Sequence, residues 1–149
     1  MNQKLLQSIV GVALVALAVT VGCGGAEGDE APPSKEAFIR EANFVCIEGV
    51  QEKEELVAES IAIREKAHGQ VPQERVEQYN SELMEIYEGE AERLAELTPP
   101  AGHEKKIEAM VEAMNEGAER YKANPEGGGV PFMKPDRLAQ AYGLDKCIV

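Results

Sequence analysis

The sequence predicts an all-α fold, an antiparallel up-down-up-down four-helix bundle closed by one disulfide. Apolar residues recur at steps of three and four from Ser34 to Tyr142, as in amphipathic helices, and the period-two alternation that marks strands is absent. Proline and glycine interrupt this pattern with short breaks, and short connections favour antiparallel neighbours. In that topology Cys46 on the first helix and Cys147 after the fourth fall in the same half of the bundle.

The first helix is predicted from Ser34 to Ala67. The Ser34 hydroxyl can cap the free amides of the first turn, and Gly69 and Pro72 end the helix. Gly49 costs about 1 kcal/mol relative to alanine inside a helix, so it marks either a close helix contact or a slight bend. The apolar stripe of this helix consists of Phe38, Ile39, Ala42, Val45, Cys46, Val50, Leu56, Val57 and Ile61.

Two further long helices follow. The second is predicted to begin with Pro72 in its first turn and to run to about Thr98, where the pair Pro99-Pro100 breaks it. The third is predicted to run from about Ala101 to Ala123, and a proline and three glycines then form a flexible loop.

The fourth helix is shorter and is predicted between Pro131 and Tyr142. Pro135 suits its first position, because proline lacks an N–H that the first turn leaves free, and Gly143 suits the left-handed residue that ends a helix. We expect the four helices to share one core. Its members are Phe38, Val45, Leu56, Tyr79, Leu83, Leu94, Ile107, Met110, Val111, Met114, Tyr121 and Leu138.

Residues 1–22 differ from the rest and are predicted to be a signal peptide. Lys4 supplies a basic start, and the apolar run of 13 residues from Ile9 to Val21 is too short to span a bilayer comfortably. Val21-Gly22-Cys23 resembles a bacterial lipobox, in which the signal is cut before the cysteine and its thiol receives a lipid such as palmitate, although Thr20 stands where leucine is usual. Ordinary secretion after cleavage near Gly25 is the alternative.

Residues 23–33 are expected to form the lipidated cysteine and a flexible tether, because GGAEGDEAPP has almost nothing to bury. Residues 34–149 are then the helical bundle domain, held on the extracytoplasmic side of the cell membrane. The chain has a formal net charge of -12, which becomes -13 without residues 1–22, whose only charged side chain is Lys4. This acidic balance argues against a nucleic-acid partner and against tight binding along anionic lipid.

An exported chain with one lipidated cysteine and two others is predicted to hold one disulfide, between Cys46 and Cys147. The two positions are 101 residues apart, and closing a loop of that length stabilises a domain by about 4 to 5 kcal/mol in the chain-entropy model. Two unpaired thiols are the alternative.

A set of positions spread over the domain matches a known group of proteins. These positions are Lys35, Phe38, Ile39, Ala42, Asn43, Val45, Cys46, the pair Pro99-Pro100, the run Tyr142-Gly143-Leu144, and Cys147. In this pattern the chain resembles small exported actinobacterial helical proteins, which are often lipoproteins and whose function is uncharacterised. The resemblance supports the pairing of Cys46 with Cys147 and implies no enzymatic activity.

The sequence offers no catalytic residue, cofactor site or metal site. His68 and His103, the two histidines, are expected at opposite ends of the bundle, too far apart to share a metal. Met110 and Met114 are one turn apart and could offer two thioethers to Cu(I). Methionine on an apolar stripe more often fills a core, so we expect these two side chains to be buried core residues. The acidic runs are expected to be solvated helix faces; they comprise Glu52, Glu54, Glu55 and Glu59 on the first helix and Glu82, Glu85, Glu88, Glu90 and Glu92 on the second.

Two functions fit these features. The first is a non-enzymatic envelope lipoprotein whose bundle binds another envelope protein or a cell-wall component. The second is a carrier for a small apolar ligand or a metal within the bundle, where Gly49, Ala113 and Gly117 leave room. An exposed apolar stripe on the bundle favours the first function, and a large apolar pocket favours the second.

Overall fold

The computed structural model describes residues 31–148, and these contain four α-helices and no strand. The helices are α1 (Lys35–Lys66), α2 (Gln73–Glu96), α3 (Glu104–Ala123) and α4 (Met133–Tyr142). Two short 3-10 turns, Pro125–Gly127 and Val130–Phe132, connect α3 to α4. α1 packs on α2, α2 on α3 and α3 on α4, so the predicted all-α bundle is confirmed.

The predicted start of α1 and the predicted end of α4 are confirmed by their caps. The Ala37 amide donates to the Ser34 hydroxyl over 3.1 Å at the start of α1. At the end of α4, Gly143 takes a φ of 102°, the left-handed conformation that glycine adopts without strain. These local signals were sufficient because each acts within one turn of the residue that carries it.

The predicted start of α4 was wrong by two residues. The helix begins at Met133, and Pro135 occupies its third position instead of its first. The reason is that the 3-10 turn ending at Phe132 continues directly into the helix, and the first four N–H groups of a helix have no partner within it, so a proline there removes no hydrogen bond. Phe132 is buried, so this turn also anchors the helix to the bundle.

The chain after α4 returns to α1 and closes the bundle. Leu144 is fully buried, and the Lys146 amide donates to Oδ1 of Asn43 on α1 over 3.1 Å. The ring of Tyr142 packs edge-on against Phe38, with their centroids 5.8 Å apart. The contact between the two ends of the domain is therefore made largely by the residues that follow α4.

The buried side chains form two clusters, where the sequence predicted one core. The main cluster joins α1, α2, α3, α4 and the C-terminal residues: Phe38, Ala42, Val45, Cys46, Ala91, Leu94, Ile107, Met110, Met114, Ala139, Tyr142, Leu144 and Cys147. The smaller one contains Met84, Tyr87, Ala118 and Phe132. Ten of the twelve predicted core residues lie in or against these clusters, whereas Leu56 and Tyr79 lie in neither.

Leu56 and Tyr79 fall outside because α1 and α2 extend beyond the rest of the bundle. α1 has 32 residues and α3 has 20, which correspond to lengths of about 48 Å and about 30 Å. No residue from 50 to 83 is buried. Val57 and Ile61, placed on the buried stripe by the sequence, are 41% and 51% exposed. We call residues 50–83, the second half of α1 with the first part of α2, the distal hairpin.

Candidate functional site

Cys46 and Cys147 lie at disulfide-bonding distance, with their Cα atoms 4.9 Å apart, as the sequence predicted. Cys46 is fully buried in the stripe of α1, and Cys147 is 9% exposed. The Cys147 Sγ also lies 3.8 Å from the carbonyl oxygen of Ala42. The bond therefore ties the C-terminal residues to the middle of the main cluster.

A carboxylate is buried beside this disulfide. Glu90 on α2 is only 2% exposed, and one of its carboxylate oxygens lies within 4.8 Å of both cysteine sulfurs. Gly49 on α1 makes room for it, because a Cβ there would stand 2.6 Å from Oε2 of Glu90. Of the two readings that the sequence left open for Gly49, the structure supports the close helix contact.

Lys53 supplies the counter-charge of Glu90. Its Nζ donates to Oε2 of Glu90 over 3.1 Å and stands 4.3 Å from the centroid of the Tyr87 ring. Burial raises the pKa of Glu90, and nearby Glu52 adds to this, while Lys53 and Arg93 oppose it. Burial is also the main reason that the pKa of Tyr87 is raised. The Lys53 side chain is 17% exposed, so the pair lies at the edge of the core with its acid inside.

The expectation that the second acidic run is solvated was wrong for Glu90. Glu85 and Glu92 are exposed and Glu82 and Glu88 are half-buried, so the run is otherwise on the outside. Glu90 follows Tyr87 by three residues and precedes Leu94 by four, which places it on the apolar stripe of α2. That position was visible in the sequence, but its partners Gly49 and Lys53 lie on another helix.

The distal hairpin carries an open groove between its two helices. The groove has a volume of about 180 Å³. Its lining surface is mainly apolar, and its lining residues include charges of both signs, with an ion pair of 3.7 Å between Arg75 and Glu59 linking α2 to α1. The apolar lining residues are Leu56, Ile63, Val71, Val76 and Tyr79. Val76, in the groove wall, is 40% exposed.

A second depression of about 880 Å³ lies between the end of α2 and the outer face of α3. Its floor contains Leu97, Ile107 and Val111, and five glutamates of α3 line it. The small residues predicted to leave room inside the bundle do not do so. Glu90 fills the space at Gly49, Ala113 is buried, and Pro131 and Phe132 close on Gly117, where a Cβ would meet the Pro131 carbonyl oxygen at 3.0 Å.

The histidines and methionines occupy the places that the sequence predicted. His68 follows the end of α1 and His103 precedes α3, so they stand at opposite ends of the bundle. Nδ1 of His103 is 2.8 Å from the Tyr142 hydroxyl. Met110 and Met114 are buried in the main cluster.

The predicted signal peptide and Cys23 lie outside the described residues, as does most of the tether. Among residues 31–148, no helix has the length and apolar character to cross a membrane. Searches with models of protein families, among curated proteins and among solved structures find no match to this chain.

Proposed function

We propose that this chain is a non-enzymatic lipoprotein of the cell envelope, anchored through acyl chains on Cys23, and that its distal hairpin binds another envelope protein. The signal-like residues 1–22 and the Val21-Gly22-Cys23 motif support the anchor. The exposed apolar surface of the distal hairpin supports the binding role, and this observation carries the proposal.

Three large apolar side chains of the distal hairpin are exposed, two on α1 and one on α2. Val57 and Ile61 are one turn apart on α1, at 41% and 51% exposure, and Val76 stands at 40% in the wall of the groove. A groove of about 180 Å³ has room for one or two inserted side chains of a partner. A single exposed apolar residue needs no explanation, but several on one hairpin that also carries an apolar groove favour a protein interface.

The charge of the distal hairpin also favours a protein partner. The whole chain has 27 acidic and 15 basic side chains and the distal hairpin has eight acidic and four basic ones, whereas residues 56–79 around its turn have four acidic and three basic ones. Residues 56–79 are thus nearly neutral on a strongly acidic molecule, and interface cores are depleted of charge in the same way. Arg64 and Arg75 with Glu59 and Glu82 at the groove rim can pair with charges of either sign.

The carrier function has less support. The interior positions that the sequence left small are filled by Glu90, Pro131 and Phe132. The depression of about 880 Å³ has a mainly apolar lining, but it is open to solvent and carries five carboxylates, whereas ligand sites usually enclose most of their ligand. The five are Glu104, Glu108, Glu112, Glu116 and Glu119.

The binding role is tested by comparing variants in detergent-solubilised native envelopes. Tagged wild-type chain is compared with Ile61→Glu, Phe44→Glu and Val130→Glu; Phe44 and Val130 are 60% and 69% exposed but lie outside the distal hairpin. We expect the wild type, Phe44→Glu and Val130→Glu to bind a defined partner. Ile61→Glu should bind that partner at least about tenfold more weakly, since one buried charge removes more than 1.4 kcal/mol of binding free energy. Loss with Phe44→Glu but not with Ile61→Glu would place the interface elsewhere.

The anchor is tested separately by mass spectrometry of the native protein. We expect an N-terminal peptide that begins at Cys23 and carries the mass of acyl chains. A free Cys23, or a mature N-terminus beyond it, would remove the anchor and leave the binding role to stand alone.

A further inference from the structure

We propose that Cys46, Cys147 and Glu90 form a binding site for a divalent metal ion, most suitably Zn²⁺, when the disulfide is reduced. The three ligand atoms, two sulfurs and one carboxylate oxygen, already lie within 4.8 Å of one another, and all three residues are buried. This inference does not depend on the proposed function.

The distances suit a tetrahedral ion. Zn–S bonds of about 2.3 Å and Zn–O bonds of about 2.0–2.2 Å require ligand atoms separated by roughly 3.5–3.8 Å. Two reduced sulfurs can no longer bond and must separate to about that contact distance in any case. The carboxylate oxygen needs to approach by at most about 1.3 Å from the 4.8 Å limit, which a glutamate side chain can supply.

The two sulfurs can separate because Cys147 can move, whereas Cys46 is held in place. Cys46 lies in the middle of α1, which fixes its position. Cys147 lies outside the helices, five residues after the last residue of α4, so its backbone can shift without moving a helix. Leu144 and the bond from Lys146 to Asn43 keep the C-terminal residues against α1 after reduction.

The charges of the site balance with a divalent ion. Two thiolates and the Glu90 carboxylate carry three negative charges in a buried place, and Lys53, 3.1 Å from Glu90, supplies one positive charge. A divalent ion supplies the remaining two. Thiolates are soft ligands and select zinc over magnesium or calcium, while the carboxylate completes a mixed donor set that zinc accepts. A fourth position stays open to water.

Formation of the site is a redox step followed by an exchange of protons. A small dithiol reduces the bond and is itself oxidised to a cyclic disulfide, while Cys46 and Cys147 take up two electrons and two protons as thiols. The metal ion then binds both sulfurs and displaces the two thiol protons to solvent. The bonded sulfurs of the oxidised chain cannot act as thiolate ligands, so oxidation closes the site.

The test uses the full chain in detergent with Cys23→Ser in every sample, so that this thiol cannot contribute. Co²⁺ is the probe, because thiolate ligation gives it a charge-transfer absorption and a tetrahedral site gives it intense visible bands; Zn²⁺ should then displace it. The variants are Glu90→Gln, Cys147→Ser and, as the matched control, Glu92→Gln, which removes an exposed carboxylate from the same helix. Circular dichroism checks that each reduced sample is helical.

We expect the reduced chain and Glu92→Gln to bind one Co²⁺ with a thiolate band, the oxidised chain to show no such band, and Glu90→Gln to bind at least about tenfold more weakly. Cys147→Ser should lose the two-thiolate spectrum. A reduced, helical chain without the band would overturn the proposal, and so would Glu90→Gln that binds as tightly as Glu92→Gln. A reduced chain that unfolds and that neither Co²⁺ nor Zn²⁺ refolds would contradict it equally.

Discussion

Gly49 and Gly89 show at single residues how the helix contact between α1 and α2 is built. Both lie within helices, but a Cβ at Gly49 would stand 2.6 Å from Glu90 Oε2 and 3.0 Å from its Cδ, whereas a Cβ at Gly89 meets nothing within 4 Å. The same substitution therefore has opposite consequences at two positions that flank one buried carboxylate.

Gly89→Ala is expected to raise the free energy of unfolding by about 0.5–1 kcal/mol, because alanine is the better helix former and meets no neighbour. Gly49→Ala gains the same helix propensity but displaces Glu90 from Lys53, so we expect a net loss of roughly 1–2 kcal/mol. Urea denaturation of the two variants measures both values. Equal stabilisation by both substitutions would show that Glu90 does not pack on Gly49.

Glu90 should make the stability depend on pH in a direction set by its burial. Burial, reinforced by Glu52 and opposed by Lys53 and Arg93, raises its pKa in the folded chain above the ordinary carboxyl value of 4.5. Folding then favours the protonated acid. The contribution of Glu90 to the stability of the folded chain is fully present below pH 4.5 and is lost as the pH rises through the folded pKa.

Residue 90 does not titrate in Glu90→Gln. Relative to that variant, the free energy of unfolding of the wild type, measured by urea denaturation, should therefore fall as the pH is raised from 4 to 7. Glu92→Gln controls for the removal of one negative charge, since Glu92 is exposed on the same helix. A difference between wild type and Glu90→Gln that grows in favour of the wild type with rising pH would mean that the Lys53 pair outweighs burial.

The elements show which parts of the fold the sequence could predict. Caps and breaks were predictable at Ser34 and Gly143 because they depend on neighbours within a turn. The exposure of Val57 and Ile61 was not predictable, because it depends on how far α3 and α4 reach along α1, and an apolar stripe carries no information about the length of its partners. Glu90 was missed for the same reason, since Gly49 and Lys53 come from another helix.

Within α1 and α2, the distal hairpin should be less stable than the parts of the two helices that pack in the bundle. Its backbone hydrogen bonds are covered by one neighbouring helix, and none of residues 50–83 is buried, while Tyr87 and Leu94 further along α2 are. We expect amides of residues 57–79 to exchange with solvent faster than those of residues 87–94, because local opening exposes little apolar surface. Uniform protection along α2, measured by hydrogen exchange, would contradict this.

The whole molecule depends on the bond between Cys46 in α1 and Cys147 after α4. Cys46 and Cys147 are 101 residues apart, and their bond links α1 to the residues that follow α4. The pairing depends on an oxidising compartment and on the order in which the helices pack. The sequence predicted it because an exported antiparallel bundle brings these two positions together.

Cys147→Ser is expected to lower the free energy of unfolding by roughly 2–5 kcal/mol, which is a large share of the stability of a small domain. Residues 144–148 should lose protection first, since Leu144 and the Asn43 bond are then their main attachments. Denaturation and hydrogen exchange of the oxidised wild type and the variant check both points. An unchanged midpoint would show that the bond does not form in the exported protein.

We propose that the distal hairpin, at the end of α1 opposite Ser34, binds a partner protein. The most direct measurement is photo-cross-linking in intact envelopes, with a photoreactive amino acid at Ile61 or, for comparison, at Val130, which is 69% exposed and lies outside the hairpin. We expect one discrete adduct from position 61, lost when Val76→Glu places a charge in the groove of the same hairpin, and no such adduct from position 130. No adduct from position 61, or the same adduct from both positions, would contradict it.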